Sequence, residues 1–124
     1  METPKIFESE YRFCTILWEE EPIRSGELVR LACEKLGWKP TTAYTVIKRL
    51  SERGVLENRD SIVRSLVSRE EARRAEIDEL VEKRFGGSLP AFIAAFAGSR
   101  RLSEEEFTEL SRAIEELRGP AETR

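Results

Sequence analysis

The sequence predicts a mainly α-helical fold: a winged helix-turn-helix domain with a small β-hairpin wing, followed by a C-terminal helical region. Three observations predict it. Three short amphipathic stripes follow one another within the first 54 residues, a pair of brief apolar runs around a polar turn comes next, and helix start signals recur through the remainder.

The first stripe, over 8–21, sets Tyr11, Cys14, Leu17 and Trp18 at helical spacing, and Pro22 stops it. Ser25 reads as the N-cap of a second helix carrying Leu28, Leu31, Ala32 and Leu36, with Gly37 as its C-terminal cap residue. A third stripe, Ala43, Val46, Ile47 and Leu50, follows a tight connection and is closed by Gly54. Three short helices with a brief turn before the third make the helix-turn-helix arrangement.

Val55-Leu56-Glu57 and the run from Ile62 to Val67 read as short strands around Asn58-Arg59-Asp60-Ser61, a segment rich in turn formers. Such a hairpin is marginal alone and is expected to pack against the helices. Ser68-Arg69-Glu70-Glu71 then has the form of a capping box, and Ala72, Ile77, Leu80, Val81 and Phe85 give the next helix its apolar side up to Gly86-Gly87. A shorter helix starts at Ser88, accepts Pro90 in its first turn and stops at Gly98. Ser103-Glu104-Glu105-Glu106 repeats the capping box, and Phe107, Leu110, Ile114 and Leu117 mark the last helix. The expected organisation is a winged-helix domain over 1–67, a helical dimerisation region over 68–118 and a flexible C-terminus over 119–124.

The C-terminal region is rich in apolar side chains, yet three short helices close only a marginal core unaided. A second copy is the simplest partner, since soluble oligomers are mostly two-fold homodimers. Phe85, Leu89, Phe92, Ile93, Phe96, Phe107 and Leu110 are the interface candidates.

Composition narrows the function. The chain has 124 residues, with 40% hydrophobic and 36% charged side chains and no histidine, so the commonest general base and metal ligand are both missing. Cys14 and Cys33 lie within apolar patterns without zinc-like spacing and read as buried thiols in a reducing compartment. No paired acid and base, nucleophile pair or phosphate loop emerges, and neither catalysis nor a metal or other cofactor is expected. No stretch approaches the roughly 20 apolar residues of a membrane span, and the N-terminal segment lacks the pattern of a signal peptide, so a cytoplasmic protein without membrane insertion is expected.

The net charge of −3 argues against nucleic acid until it is resolved along the chain. Residues 1–37 carry 8 acidic and 5 basic side chains, residues 38–64 carry 3 and 6, and residues 65–124 carry 13 and 10. Only the segment holding the third helix and the hairpin is basic. With Ala43, Val46, Ile47 and Leu50 facing a core, the 3.6-residue period turns Thr41, Thr42, Tyr44, Thr45, Lys48 and Arg49 outward. Threonine hydroxyls and methyls suit base edges, and Lys48 and Arg49 suit phosphates. Lys39 stands at the helix N-terminus, itself favourable to phosphate, and Arg59 and Arg64 on the wing can reach the neighbouring backbone or minor groove. Together with a dimer, this predicts a two-fold reader of a pseudopalindromic double-stranded DNA operator. Two other readings use the same features: a winged-helix protein-interaction module, and a small-molecule-responsive regulator with a pocket at the dimer junction.

The run from Glu10-Tyr11 through Leu17-Trp18-Glu19, with Gly37-Trp38-Lys39-Pro40-Thr41-Thr42, Arg49-Leu50 and Gly54, resembles the penicillinase repressor family of bacterial regulators. Phe85-Gly86-Gly87-Ser88-Leu89, Phe92-Ile93-Ala94-Ala95-Phe96 and Leu102-Ser103-Glu104-Glu105-Glu106 resemble that family's dimerisation region in order and spacing. The resemblance covers roughly 8–117. It implies a repressor that binds operators as a dimer and is released when a membrane sensor protease system leads to its cleavage at an Asn-Phe bond in the tail. The matching pair here is Ala95-Phe96, without the asparagine, which makes it the candidate cleavage site of a regulatory protease. The second wing strand, Ile62-Val63-Arg64-Ser65-Leu66, lacks the aromatic residues common in the family. The paired C-terminal cysteines of its copper-responsive members are absent too.

Overall fold

A computed structural model describes residues 3–98 and 101–118. The chain divides into two compact units, parted between Glu79 and Leu80. The first unit orders its elements α1 (Glu8–Glu20), β1 (Ile23–Arg24), α2 (Ser25–Leu36), α3 (Pro40–Glu52), β2 (Leu56–Arg59) and β3 (Ile62–Ser65), and then begins α4 (Arg69–Phe85). The second holds the end of α4, α5 (Leu89–Ala97) and α6 (Glu104–Leu117). This is the expected mainly helical winged-helix fold with additional C-terminal helices. The segment 119–124, expected to be flexible, lies outside the described residues.

In α1 the core-facing side is Phe13, Cys14, Ile16 and Leu17, all buried, while Tyr11 and Trp18 are half-buried and pack against the core margin. The expected stripe therefore contained two core residues and two edge residues, and omitted Phe13 and Ile16. Trp38, on the α2–α3 connection, stacks on Phe13 with ring centroids 5.5 Å apart and planes 4° apart. The Trp18 indole donates a hydrogen bond to the Val67 carbonyl at 2.9 Å, tying α1 to the chain entering α4. Leu28, Val29 and Ala32 of α2, the four apolar residues of α3, and Val55, Leu56 and Val63 complete one contiguous core. Burying a side chain of the size of Phe13, Leu28 or Leu50 contributes about 1.5–3 kcal/mol.

The sheet has the order β1-β3-β2, both pairings antiparallel. Its first strand was not expected from the sequence, and it corrects the reading of Ser25. That residue is buried inside α2 rather than capping it, the cap position belongs to Arg24 without a side-chain bond, and the Ser25 amide donates to the Ser61 carbonyl at 2.8 Å. The hairpin turn is also tighter than the expected tetrapeptide. Only Asp60 and Ser61 separate the strands, with φ of 53° and 63°, the left-handed pair that a two-residue hairpin turn demands. β3 ends at Ser65 because the amides of Leu66 and Val67 both turn to the Val55 carbonyl, at 2.7 and 3.2 Å.

The helix ends follow their residues. Gly37 closes α2 in the left-handed region with φ of 71°. Ser68 and Glu71 exchange two 3.0 Å hydrogen bonds at the start of α4, and Ser103 and Glu106 repeat the exchange at α6, at 3.0 and 3.1 Å. Ser88 caps α5 by accepting from the Ala91 amide at 3.1 Å. No residue of α5 or α6 is buried. Among the described residues no helix is long and apolar enough to cross a membrane.

Candidate nucleic-acid interface

The buried positions of α3 are Ala43, Val46, Ile47 and Leu50, so the helix is held by one face. Thr41, Thr42, Tyr44, Thr45, Lys48 and Arg49 are all exposed on the remainder. The Thr45 hydroxyl donates back to the Thr41 carbonyl at 2.9 Å, which commits its proton within the helix. Pro40 opens the helix, where a missing N–H costs nothing. No side chain caps this N-terminus and no acidic residue lies in the first turn. The first-turn amides and the positive end of the helix dipole are thus open to an anion, with Lys39 exposed at the cap position.

Arg59 and Arg64 stand on the sheet. Antiparallel pairing sets Arg59 opposite Ile62 and Arg64 opposite Glu57, while Val63 and Leu56 face the core. Directly opposed residues share a face, so both arginines lie on the solvent side of the sheet. Arg59 is 3.9 Å from Glu57, a loose and exposed ion pair. Lys39, Lys48 and Arg64 are ion-paired with no carboxylate among the described residues.

The sixth cation of the basic segment, Arg53, has a different role. Its guanidinium binds the Glu10 carboxylate, donates to the Lys5 carbonyl at 3.0 Å and lies 5.0 Å over the Phe7 ring. Burial by itself would raise the Glu10 pKa. The hydrogen bond from Arg53, the Phe7 amide at 3.0 Å and the charges of Arg53 and Arg49 outweigh it and hold the carboxyl below its ordinary value. The pair clamps the C-terminal end of α3 to α1 and the N-terminal segment, and so sets the helix's orientation. Sequence reasoning missed it because Glu10 and Arg53 are 43 residues apart.

The interface candidates of the tail sit on α4, α5 and α6. Phe85 and Phe92 are half-buried and meet edge to face, 5.4 Å between centroids. Ile93 and Leu110 are half-buried, whereas Leu89, Phe96 and Phe107 are exposed. Leu80, Ile114 and Leu117, which were not among the candidates, are exposed as well. Ala95 and Phe96 lie in the last turn of α5, both exposed. Cys14 is fully buried and its thiol is pushed up to about 12, first by burial and then by the charge of Glu10; Cys33 is only half-buried, less than expected. Among the described residues no cluster of acidic and cysteine side chains is arranged to hold a metal ion.

The family model described as penicillinase repressor matches residues 6–116. A penicillinase repressor of Bacillus licheniformis is 23% identical over 117 residues, covering 91% of each chain.

Proposed function

Because the chain belongs to the penicillinase repressor family of winged-helix DNA-binding regulators, we propose that it is a dimeric, sequence-specific transcriptional repressor acting in the cytoplasm without catalytic activity or cofactor. The observation that carries this reading is α3 itself. Its exposed face gathers three threonines, a tyrosine and two cations, and its uncapped N-terminus lacks acidic residues. In this reading α3 enters the major groove, where Thr41, Thr42, Tyr44 and Thr45 meet base edges and Lys39, Lys48 and Arg49 neutralise phosphates. Arg59 and Arg64 engage the adjoining backbone or minor groove.

Residues 1–67 form the DNA-binding domain and residues 68–118 the dimerisation region, with Phe85, Leu89, Phe92, Ile93, Phe96, Phe107 and Leu110 against a second copy. The two-fold symmetry of that dimer matches a pseudopalindromic operator with half-sites about one helical turn, or a multiple of it, apart. Release follows cleavage of the Ala95-Phe96 bond by a regulatory protease. Its place at the end of α5, where helices fray, supports access. Incubation with the cognate protease and mass mapping of the fragments tests this step; protein that stays intact removes it.

The deciding experiment for the reading as a whole is a titration against duplex DNA from upstream of the protein's own gene and against random duplex, at two salt concentrations. Tight, selective binding that weakens steeply with salt is expected. Weak and unselective binding points instead to a protein-interaction module.

A further inference from the structure

The two-residue strand β1 carries one side chain that the reading above leaves unused. Arg24 pairs with Ile62 of β3, and Ile62 pairs on its other side with Arg59 of β2. Opposed residues share a face, so Arg24, Ile62 and Arg59 form one cross-strand row on the solvent side, while in the next row Ile23 and Val63 are buried in the core. Arg64, two residues along β3 from Ile62, is on the solvent side too. Three guanidinium groups therefore share this face with one carboxylate, that of Glu57. Arg24 is exposed and takes part in no side-chain hydrogen bond or ion pair among the described residues.

The same residue adjoins the recognition face. Gly26, two positions on in the first turn of α2, lies beside Tyr44: a Cβ built on it would stand 3.9 Å from the phenol oxygen. The first turn of α2, two residues from Arg24, thus lies against Tyr44 on the exposed face of α3. Strands two apart in a sheet are separated by roughly 10 Å. Arg24 and Arg59 can therefore reach different phosphates of one backbone, with Ile62 as the apolar floor between them.

We infer that Arg24 is a phosphate-binding residue, which with Arg59 brackets the DNA backbone beside the groove occupied by α3. This rests on the repressor reading and adds to it a sequence-independent contact supplied by a strand too short to be seen in the sequence. Being a phosphate contact, it contributes affinity and salt dependence and no selectivity.

The test uses the full-length protein and two duplexes, one from upstream of its own gene and one random. Wild type, Arg24→Gln, Arg24→Lys and Arg112→Gln are titrated across a salt series, with thermal melts to verify folding. Arg112 is exposed on α6 and controls for net charge alone. Arg24→Gln is expected to lose affinity severalfold and by the same factor on both duplexes. Its plot of log affinity against log salt should be shallower by about 0.9 per protomer. Arg24→Lys should keep the slope, and Arg112→Gln should match wild type. A folded Arg24→Gln with wild-type affinity and slope overturns the inference alone, as does a loss confined to the upstream duplex. Wild type that shows no salt-sensitive binding at all overturns the repressor reading along with it.

Discussion

Lys48 and Thr42 sit on the same exposed face of α3, yet physics assigns them different work. A cation without a counter-ion neutralises phosphate wherever the duplex presents it, so Lys48→Ala should weaken binding to operator and random DNA alike. Thr42 has its hydroxyl uncommitted among the described residues, whereas that of Thr45 is already donated to Thr41. Thr42→Ala should therefore cut the affinity difference between operator and random DNA by about 1–3 kcal/mol, leaving random binding nearly untouched. Competition titrations read both, and equal losses on both sequences for both variants would contradict the division. Glu10 belongs at this scale too. Its pKa is lower in the folded chain than in the unfolded one, so its ion pair stabilises the fold above the ordinary carboxylate range, and that contribution is lost as pH falls through the folded value. Glu10→Gln should cost about 1–3 kcal/mol at pH 7, where Arg53 loses its charged acceptor. In urea melts the gap between wild type and variant should close only as pH falls below the ordinary carboxylate range and through the lowered folded value; a gap that persists in stronger acid would place the effect in packing rather than charge.

Elements were legible in the sequence where they are long and signposted. The capping boxes at Ser68 and Ser103 and the stripe of α3 declare themselves, since local hydrogen bonding and helical period act within a few residues. β1 was not legible, because two residues carry no period and the strand exists only through its partner β3. Ser25 was misread for the same reason: a serine ahead of an apolar run has the form of a cap, but the Ser61 carbonyl already takes its amide. Part of the candidate site was lost with it, namely Arg24, along with the Glu10–Arg53 clamp that only the tertiary fold assembles. The hairpin turn offers the test at this scale. Ser61 holds φ of 63°, a conformation that costs an L-residue roughly 1 kcal/mol or more and glycine almost nothing. Ser61→Gly preserves the backbone carbonyl that binds Ser25 and should raise the melting temperature by a few degrees. A lowered melting temperature would mean that the serine side chain stabilises the turn.

At the scale of the whole molecule the exposed apolar surface is unevenly distributed. Of the large side chains left open to solvent, Ile77, Leu80, Leu89, Phe96, Phe107, Ile114 and Leu117 all lie on α4, α5 and α6. On α6 the exposed or half-exposed Phe107, Leu110, Ile114 and Leu117 repeat at intervals of three, four and three, the spacing with which one helix seams against another. Phe107 is 64% exposed and Leu117 71%, so neither contributes much to the fold of a single chain. In the proposed dimer their burial is gained on association, where a second copy presents the same stripe in return. Phe107→Glu should accordingly leave the thermal unfolding of the winged-helix unit unchanged while shifting sedimentation toward the monomer at micromolar concentration. Operator affinity should fall with it, because a monomer engages one half-site and forfeits the effective concentration that links the second. Random-DNA binding per protomer should hardly move, since the face of α3 and the arginines of the sheet are intact. A variant that remains a dimer with full operator affinity would remove Phe107 from the interface, and a wild type that sediments as a monomer would remove the dimer itself.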